Sequence, residues 1–220
     1  MLRYSSAIQK AKSILRETKI AAVLGKYYCS YSSIRKREWW DSSKGGGTIV
    51  EQATHFLDLF RYFNGEVVEG SIQVVRVPGN EFELGYAKEM EKGVDGGRRI
   101  DRVTCCSFEF VKGGVGSLNH SALLHGNRFE TEIDVLGDGI CVRIINVYEE
   151  SKVGLFVRWP DKMEYEKVEV EQVDMYQREL EEFVKAACRR DIEGILSPYW
   201  DAAKTYELSR WIADYKRGKR

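Results

Sequence analysis

The sequence predicts an α+β fold: a large, mostly antiparallel or mixed, open-faced sheet with helices packed on one side. Three observations lead there. Between residues 67 and 170, stretches rich in β-branched and aromatic residues follow one another, several alternating with period two. Lys112-Gly113-Gly114 and Gly137-Asp138-Gly139 separate neighbouring stretches with short turns that favour antiparallel hairpins. Helical periodicity is confined to the two ends of the chain and to one segment after Gly45-Gly46-Gly47.

Taken in order, Ala7, Ile8, Ala11, Ile14 and Leu15 recur at helical spacing and predict a helix from about Arg3 to Glu17. It has no capping residue, because the chain starts inside the pattern. Residues 19–34 read as a strand. After the triple glycine, Ile49, Ala53, Phe56 (or Leu57) and Phe60 restore a helical period. Strands are expected at Val67–Val77, Val103–Val111, Val115–Leu123, Phe129–Leu136, Ile140–Val147, Val153–Trp159 and Tyr165–Val170. Phe129, Ile133 and Val135 share one face, as do Val153, Leu155, Val157 and Trp159. The polar, Gly-rich segment 78–102 is expected to be a loop with one helical turn. Tyr176, Leu180, Phe183, Val184 and Ala187 make the apolar stripe of one closing helix, and Ala203, Tyr206 and Ile212 that of a second. Pro198 lies near the start of the last helix, where proline is tolerated. The tail KRGKR reads as a solvated end.

Composition narrows the function classes. With 34 basic and 34 acidic side chains among 220 residues, the chain lacks the basic surplus of a nucleic-acid binder. No apolar run approaches the roughly 20 residues needed to span a bilayer, and the N-terminus shows no secretory signal. Cys29, Cys105, Cys106, Cys141 and Cys188 are scattered, and the adjacent pair on a strand points to opposite faces. Reduced cysteines in a cytoplasmic protein are therefore expected.

Chemistry concentrates on the helix after the glycines. Glu51, His55 and Asp58 stand at i, i+4 and i+7 and are expected on one face. A carboxylate one turn from an imidazole can accept its N–H, fix the tautomer and raise its basicity, as a general base for a substrate hydroxyl requires. The competing interpretation is a solvated helix face. A metal site is disfavoured, because a zinc site draws on more than one His or Cys and no second such ligand is close in sequence.

The run Trp39-Trp40, then Gly45-Gly46-Gly47-Thr48-Ile49-Val50-Glu51-Gln52-Ala53-Thr54-His55-Phe56-Leu57-Asp58, resembles the G-G-G-x-x-x-D-x-x-x-H-x-x-D signature of the glucose–fructose oxidoreductase/inositol dehydrogenase/MocA-like family. The resemblance extends over the whole chain, with Arg3-Tyr4 and the helix after them similar to the closing segment of that family's Rossmann domain. It implies residues 1–20 as a remnant of the nucleotide-binding domain. Residues 21–220 would be the C-terminal α/β substrate-binding and oligomerisation domain. Family members move a hydride between NAD or NADP and a sugar or polyol carbon. By resemblance His55 is the acid/base residue, and Glu51, where the family usually has Asp, orients His55 or binds substrate hydroxyls. Asp58 falls on the pattern as a structural residue. Trp40 and Arg37 lie on the approach and would line a sugar pocket, with core packing as the alternative for Trp40.

Two parts of that chemistry have no counterpart in the sequence. No G-x-G-x-x-G turn is present to hold a pyrophosphate at a helix N-terminus, and no Glu-Lys-Pro motif occurs. Both fit a chain that begins after the nucleotide-binding domain, so the cofactor site is expected outside it and the isolated chain is expected to be inactive. The expected function is the substrate-binding and oligomerisation portion of an NAD(P)-dependent oxidoreductase acting on CH–OH groups. The alternative is a non-catalytic dimerisation or ligand-binding module with the same fold. So many strands with few helices leave one sheet face open, and a homo-oligomer through that face is expected.

Overall fold

From the N-terminus, a 3-10 turn at Leu2–Tyr4 leads into α1 (Ser6–Ile14) and then β1 (Ile20–Ser30). One helical turn, α2 (Ser42–Gly45), precedes a wide π turn at Ile49–Ala53 that runs directly into α3 (Thr54–Asn64). Strands β2 (Gln73–Val77), β3 (Val103–Glu109), β4 (Val115–Leu124) and β5 (Phe129–Gly137) follow. After them come β6 (Cys141–Ile145), β7 (Gly154–Arg158) and β8 (Glu166–Val168), and then α4 (Met175–Arg189) and α5 (Tyr199–Asp214) close the chain. This computed structural model describes residues 1–215 apart from 35, 84, 86–87, 125, 127–128 and 150, and omits the side chains of 33 and 45. The basic tail at 216–220 lies outside the described residues.

The strands form one eight-stranded sheet in the order β2-β3-β4-β1-β5-β6-β7-β8. Both glycine turns make the expected hairpins, β3 with β4 and β5 with β6. β1 is inserted between β4 and β5, parallel to the first and antiparallel to the second, so Tyr27 faces His120 on one side and Thr131 on the other. All other neighbours are antiparallel.

One face of the sheet carries the core. Val23, Tyr27, Leu118, Ile133, Val135, Val142, Ile144, Leu155 and Val157 point into it, and α1 and α3 cover it with Ala7, Ile8, Ala11, Phe56 and Phe60. Each fully buried aromatic or aliphatic side chain here contributes about 1.5–3 kcal/mol. Gly25 on β1 is required by this packing, because a Cβ there would lie 2.7 Å from Phe60 Cζ and 3.0 Å from Phe56 Cδ1. A second cluster, Cys29, Tyr31, Ile34, Trp40, Ile100 and Ala122, extends the core beneath the segment before α3. The described residues of segment 78–102 are irregular apart from a 3-10 turn at Gly96–Arg98. It is pinned by Arg102, which is fully buried, pairs with Glu91 at 2.6 Å and donates to the Phe82 and Gly79 carbonyls.

The structure corrects four local expectations. The first helix does not begin at Arg3: the 3-10 turn comes first and Ser5, in extended conformation, occupies the N-cap. Arg3 and Tyr4 are held by partners outside that helix, Asp58, Asp201 and the backbone at 194–196. Only Gln73–Val77 of the strand expected at Val67–Val77 joins the sheet. Val67 makes an isolated bridge to Phe110, and a 3-10 turn at Glu69–Ser71, where Gly70 is a poor strand residue, separates the two. The buried face of α5 is Thr205, Leu208, Ser209 and Ile212, with Tyr206 exposed, because Arg61 and Asp58 draw Thr205 inward through hydrogen bonds. The stripe of α4 points outward: Tyr176, Leu180, Phe183 and Val184 are all more than half exposed, and only Met175 is buried.

Among the described residues, no helix covers the other face of the sheet. It carries exposed Leu24, Val75 and Val115 beside an ionic row in which Lys26 reaches Glu132 at 3.5 Å and Arg143 reaches Asp134 at 2.8 Å. Cys105 is exposed and Cys106 buried, as adjacent strand residues must be, and all five cysteines are free. Among the described residues no helix is long and apolar enough to cross a membrane.

Candidate functional site

The glycine run sets the geometry of the site. Gly46 and Gly47 both adopt left-handed backbone, at φ 77° and 78°, which glycine tolerates without steric cost. They turn the chain sharply from α2 into the π turn. Such a wide turn inserts an extra residue into the helical repeat and recurs at functional sites. It presents Glu51, Gln52 and, one turn on, His55.

These three side chains go to different surroundings. Glu51 is exposed, in a groove of about 540 Å³ that it shares with Lys44, Tyr206, Arg210 and Asp214. His55 is half-buried, its ring 5.9 Å from that of Tyr148 in an edge-on arrangement. No hydrogen bond joins Glu51 to His55. Burial lowers the pKa of His55, the N-terminal ammonium lowers it further, and Asp58 opposes both. His55 is therefore neutral near pH 7 and able to accept a proton.

Gln52, which sequence reasoning passed over, ties the π turn to the sheet. Its amide donates to Cys29 Sγ at 3.2 Å and its carbonyl oxygen lies 3.0 Å from His120 Nε2. With the Gln52 amide committed as donor, His120 must carry its proton on Nε2. His120 is fully buried, burial pulls its pKa down to about 3, and its Nδ1 has no hydrogen-bond partner among the described residues. Thr104, directly opposite on β3, likewise has a buried hydroxyl without one. Tyr27 links the two histidines, edge-on to His120 at 5.2 Å, stacked on Phe56 at 5.3 Å, and 5.5 Å from Tyr148. His120 stands on a strand in simple alternation, so its position on the inner face was legible from the sequence. Its contact with Gln52, 68 residues away, was not.

Asp58 is structural. Both its oxygens accept from Arg3, at 2.8 and 2.6 Å, and Thr205 Oγ1 donates to it at 3.1 Å. Arg3 also pairs with Asp201 at 2.7 Å, and Asp201 with Arg61 at 2.8 Å, so one ionic chain ties the N-terminal turn, α3 and α5 together. Trp40, expected to line a sugar pocket, is fully buried instead, with its indole N–H donating to the Ile34 carbonyl at 3.0 Å. No face of that ring is left for a ligand. Arg37 is exposed and donates to the Lys92 carbonyl; its groove, shared with Glu38, Asp41 and Arg98, contains neither Glu51 nor His55.

Among the described residues, neither glycine run has the setting of a dinucleotide site. The triple glycine follows a helical turn rather than a strand, and Gly113 and Gly114 lie in the β3–β4 hairpin. A pyrophosphate cradle needs a strand, a glycine turn and a helix N-terminus in succession. Among the described residues, no group of three or more His, Cys, Asp or Glu side chains is arranged to hold a metal ion.

Comparison with known proteins places this geometry. The sequence model described as "Putative oxidoreductase C terminal domain" matches residues 3–140. Two uncharacterized proteins of Schizosaccharomyces pombe are 38% and 34% identical over 221 residues, matches that cover 98% and 97% of this chain. They cover 54% and 56% of those proteins, so the chain spans little more than half the length of these relatives. Levoglucosan dehydrogenase, solved with NADH and levoglucosan, superposes with a TM-score of 0.75 at 18% identity, over 96% of this chain and 61% of that one. UDP-N-acetylglucosamine 3-dehydrogenase from Acidithiobacillus ferrooxidans gives 0.66 at 14% identity, over 94% and 56%. At such identities the superpositions speak to fold, and the sheet with its helices is that of an oxidoreductase C-terminal domain. The chain belongs to that family, whose model describes the C-terminal domain of an oxidoreductase.

Proposed function

We propose that this chain is the substrate-binding and oligomerisation half of an NAD(P)-dependent oxidoreductase acting on a CH–OH group of a sugar or polyol. Residues 1–20 would be the closing segment of the nucleotide-binding domain and 21–220 the substrate domain. His55 is the acid/base residue in this reading. It takes the hydroxyl proton as the carbon is oxidised and returns it in reduction, and Glu51 binds neighbouring substrate hydroxyls. Arg37 would contact the far end of a longer substrate. The redox partner of the step lies outside this chain's residues.

The observation that carries the reading is the state of His55. It is half-buried, neutral at physiological pH, and fixed on a helix whose preceding turn is clamped to the sheet by Gln52. A proton acceptor that is neutral near its working pH is what general-base catalysis requires. The levoglucosan and UDP-N-acetylglucosamine dehydrogenases act on sugars by their names, which supports the substrate class. The outward apolar stripe of α4 supports a second domain packed there, and the helix-free sheet face supports self-association.

The test supplies in trans the segment of one of the Schizosaccharomyces pombe relatives that lies outside the match, and follows NAD(P) reduction over a panel of sugars and polyols. Turnover that falls 100- to 10,000-fold in His55→Asn is the expected result, the usual range for a general base. If no polyol shifts the NMR signals of the His55 ring and none is oxidised, the non-catalytic module is the correct description. Light scattering of the isolated chain reads the oligomer, and a monomer at all concentrations would refute self-association.

A further inference from the structure

The C-terminal ends of α1 and α3 converge on a groove of about 640 Å³, remote in sequence from the glycine run. Four cations line it, Lys12, Arg16, Lys19 and Lys112, and no carboxylate does. Elsewhere the buried and half-buried cations are matched: Arg3, Arg61, Arg102 and Arg143 each have carboxylate partners within 3 Å. None of the four groove cations forms an ion pair among the described residues.

Part of this charge has a structural purpose. Lys12 Nζ donates to the Tyr62 and Phe63 carbonyls at 2.6 and 3.2 Å and so caps the end of α3. A helix C-terminus carries about half a negative charge, so two of them balance only about one cation, leaving roughly three positive charges uncompensated. The crowding is visible at Lys12, whose pKa is lowered by burial and then by Lys112 and Arg3. The hydroxyls of Ser13 and Thr18, which line the same groove, add neutral donors.

We infer that this groove binds the oligophosphate group of a small soluble molecule. A diphosphate carries two to three negative charges, matching the surplus, and its oxygens accept from ammonium, guanidinium and hydroxyl donors alike. Lys12, held on the α3 carbonyls, forms the base of the site, and Arg16, Lys19 and Lys112 close over the ligand from its rim.

Calorimetric titration of the chain with inorganic pyrophosphate at low ionic strength tests the assignment. Saturable one-to-one binding is expected, weakened at least tenfold in Arg16→Glu/Lys19→Glu. Lys88→Glu/Lys185→Glu, which changes net charge equally away from the groove, should bind as the unaltered chain does. Lys112→Glu, a single change in an exposed hairpin, gives an independent reading if the double variant folds poorly, and should also weaken binding. Absence of saturable heat, or equal weakening in the control pair, would overturn the site. Citrate binding as tightly as pyrophosphate would overturn its assignment to phosphate.

Discussion

His120 Nε2 lies 3.0 Å from Gln52 Oε1, and this contact joins the central sheet to the turn that carries the candidate site. Removing one partner leaves the other buried and unsatisfied, at a cost of about 1–3 kcal/mol. Gln52→Leu should lower the free energy of unfolding by that amount, measured by urea denaturation. Adding His120→Leu should recover part of the loss, because the orphaned imidazole is then gone. Additive losses in the double variant would show that the two residues are not coupled.

Acid stability follows from the same histidines. Both His55 and His120 have pKa values below 6.5 in the folded state, that of His120 at about 3. The unfolded chain therefore binds more protons than the folded one once the pH falls below about 6.5. Their stabilising contribution is complete above that value and is lost as the pH drops toward the folded pKa. For His120 alone the slope is roughly 1.4 kcal/mol per pH unit between about pH 6 and 4. Unfolding curves recorded across that window should be shallower in dependence on pH for His120→Gln than for the unaltered chain.

Asp58 tests the ionic chain between α3 and the N-terminal turn. Its carboxylate is 20% exposed while the Arg3 side chain is 6% exposed. Breaking a buried pair by removing one member costs about 3–5 kcal/mol, and partial exposure puts Asp58→Ala at about 3 kcal/mol. Arg3 keeps Asp201, so Asp58→Ala should cost less than Arg3→Ala. The reverse order in thermal or urea unfolding would refute this account of the network.

On α4 the expectation is the opposite. Leu180 and Phe183 are more than 60% exposed, so Leu180→Glu/Phe183→Glu should leave the urea midpoint of the chain nearly unchanged, within about 0.5 kcal/mol for each change. The same variant should no longer associate with the relative's segment supplied in trans. Retained association would place that region elsewhere.

Much of the site was legible, but its meaning divided unevenly. The glycine run and the i, i+4, i+7 spacing marked the helix on which Glu51, His55 and Asp58 stand, and Asp58 was expected to be structural. Spacing assumed a regular helix, however, and the π turn at Ile49–Ala53 breaks that assumption. Trp40 shows a different limit. An aromatic residue beside a candidate site reads the same whether its ring faces a ligand or Ile34 and Ile100, and only packing distinguishes them.

The sequence by itself determined the fold class, the two glycine hairpins and the inner face of the sheet. These follow from period-two alternation and from turn glycines that take positive φ at little cost, both of which act over a few residues. The tertiary structure alone decided that β1 enters the sheet between β4 and β5, since strand partners far apart in the chain leave no local mark. It alone decided that the stripe of α4 faces outward. An amphipathic period says that a face is apolar, while what covers that face depends on residues elsewhere. The Gln52–His120 contact belongs with these, for a hydrogen bond across 68 residues is set by how the whole sheet and α3 pack.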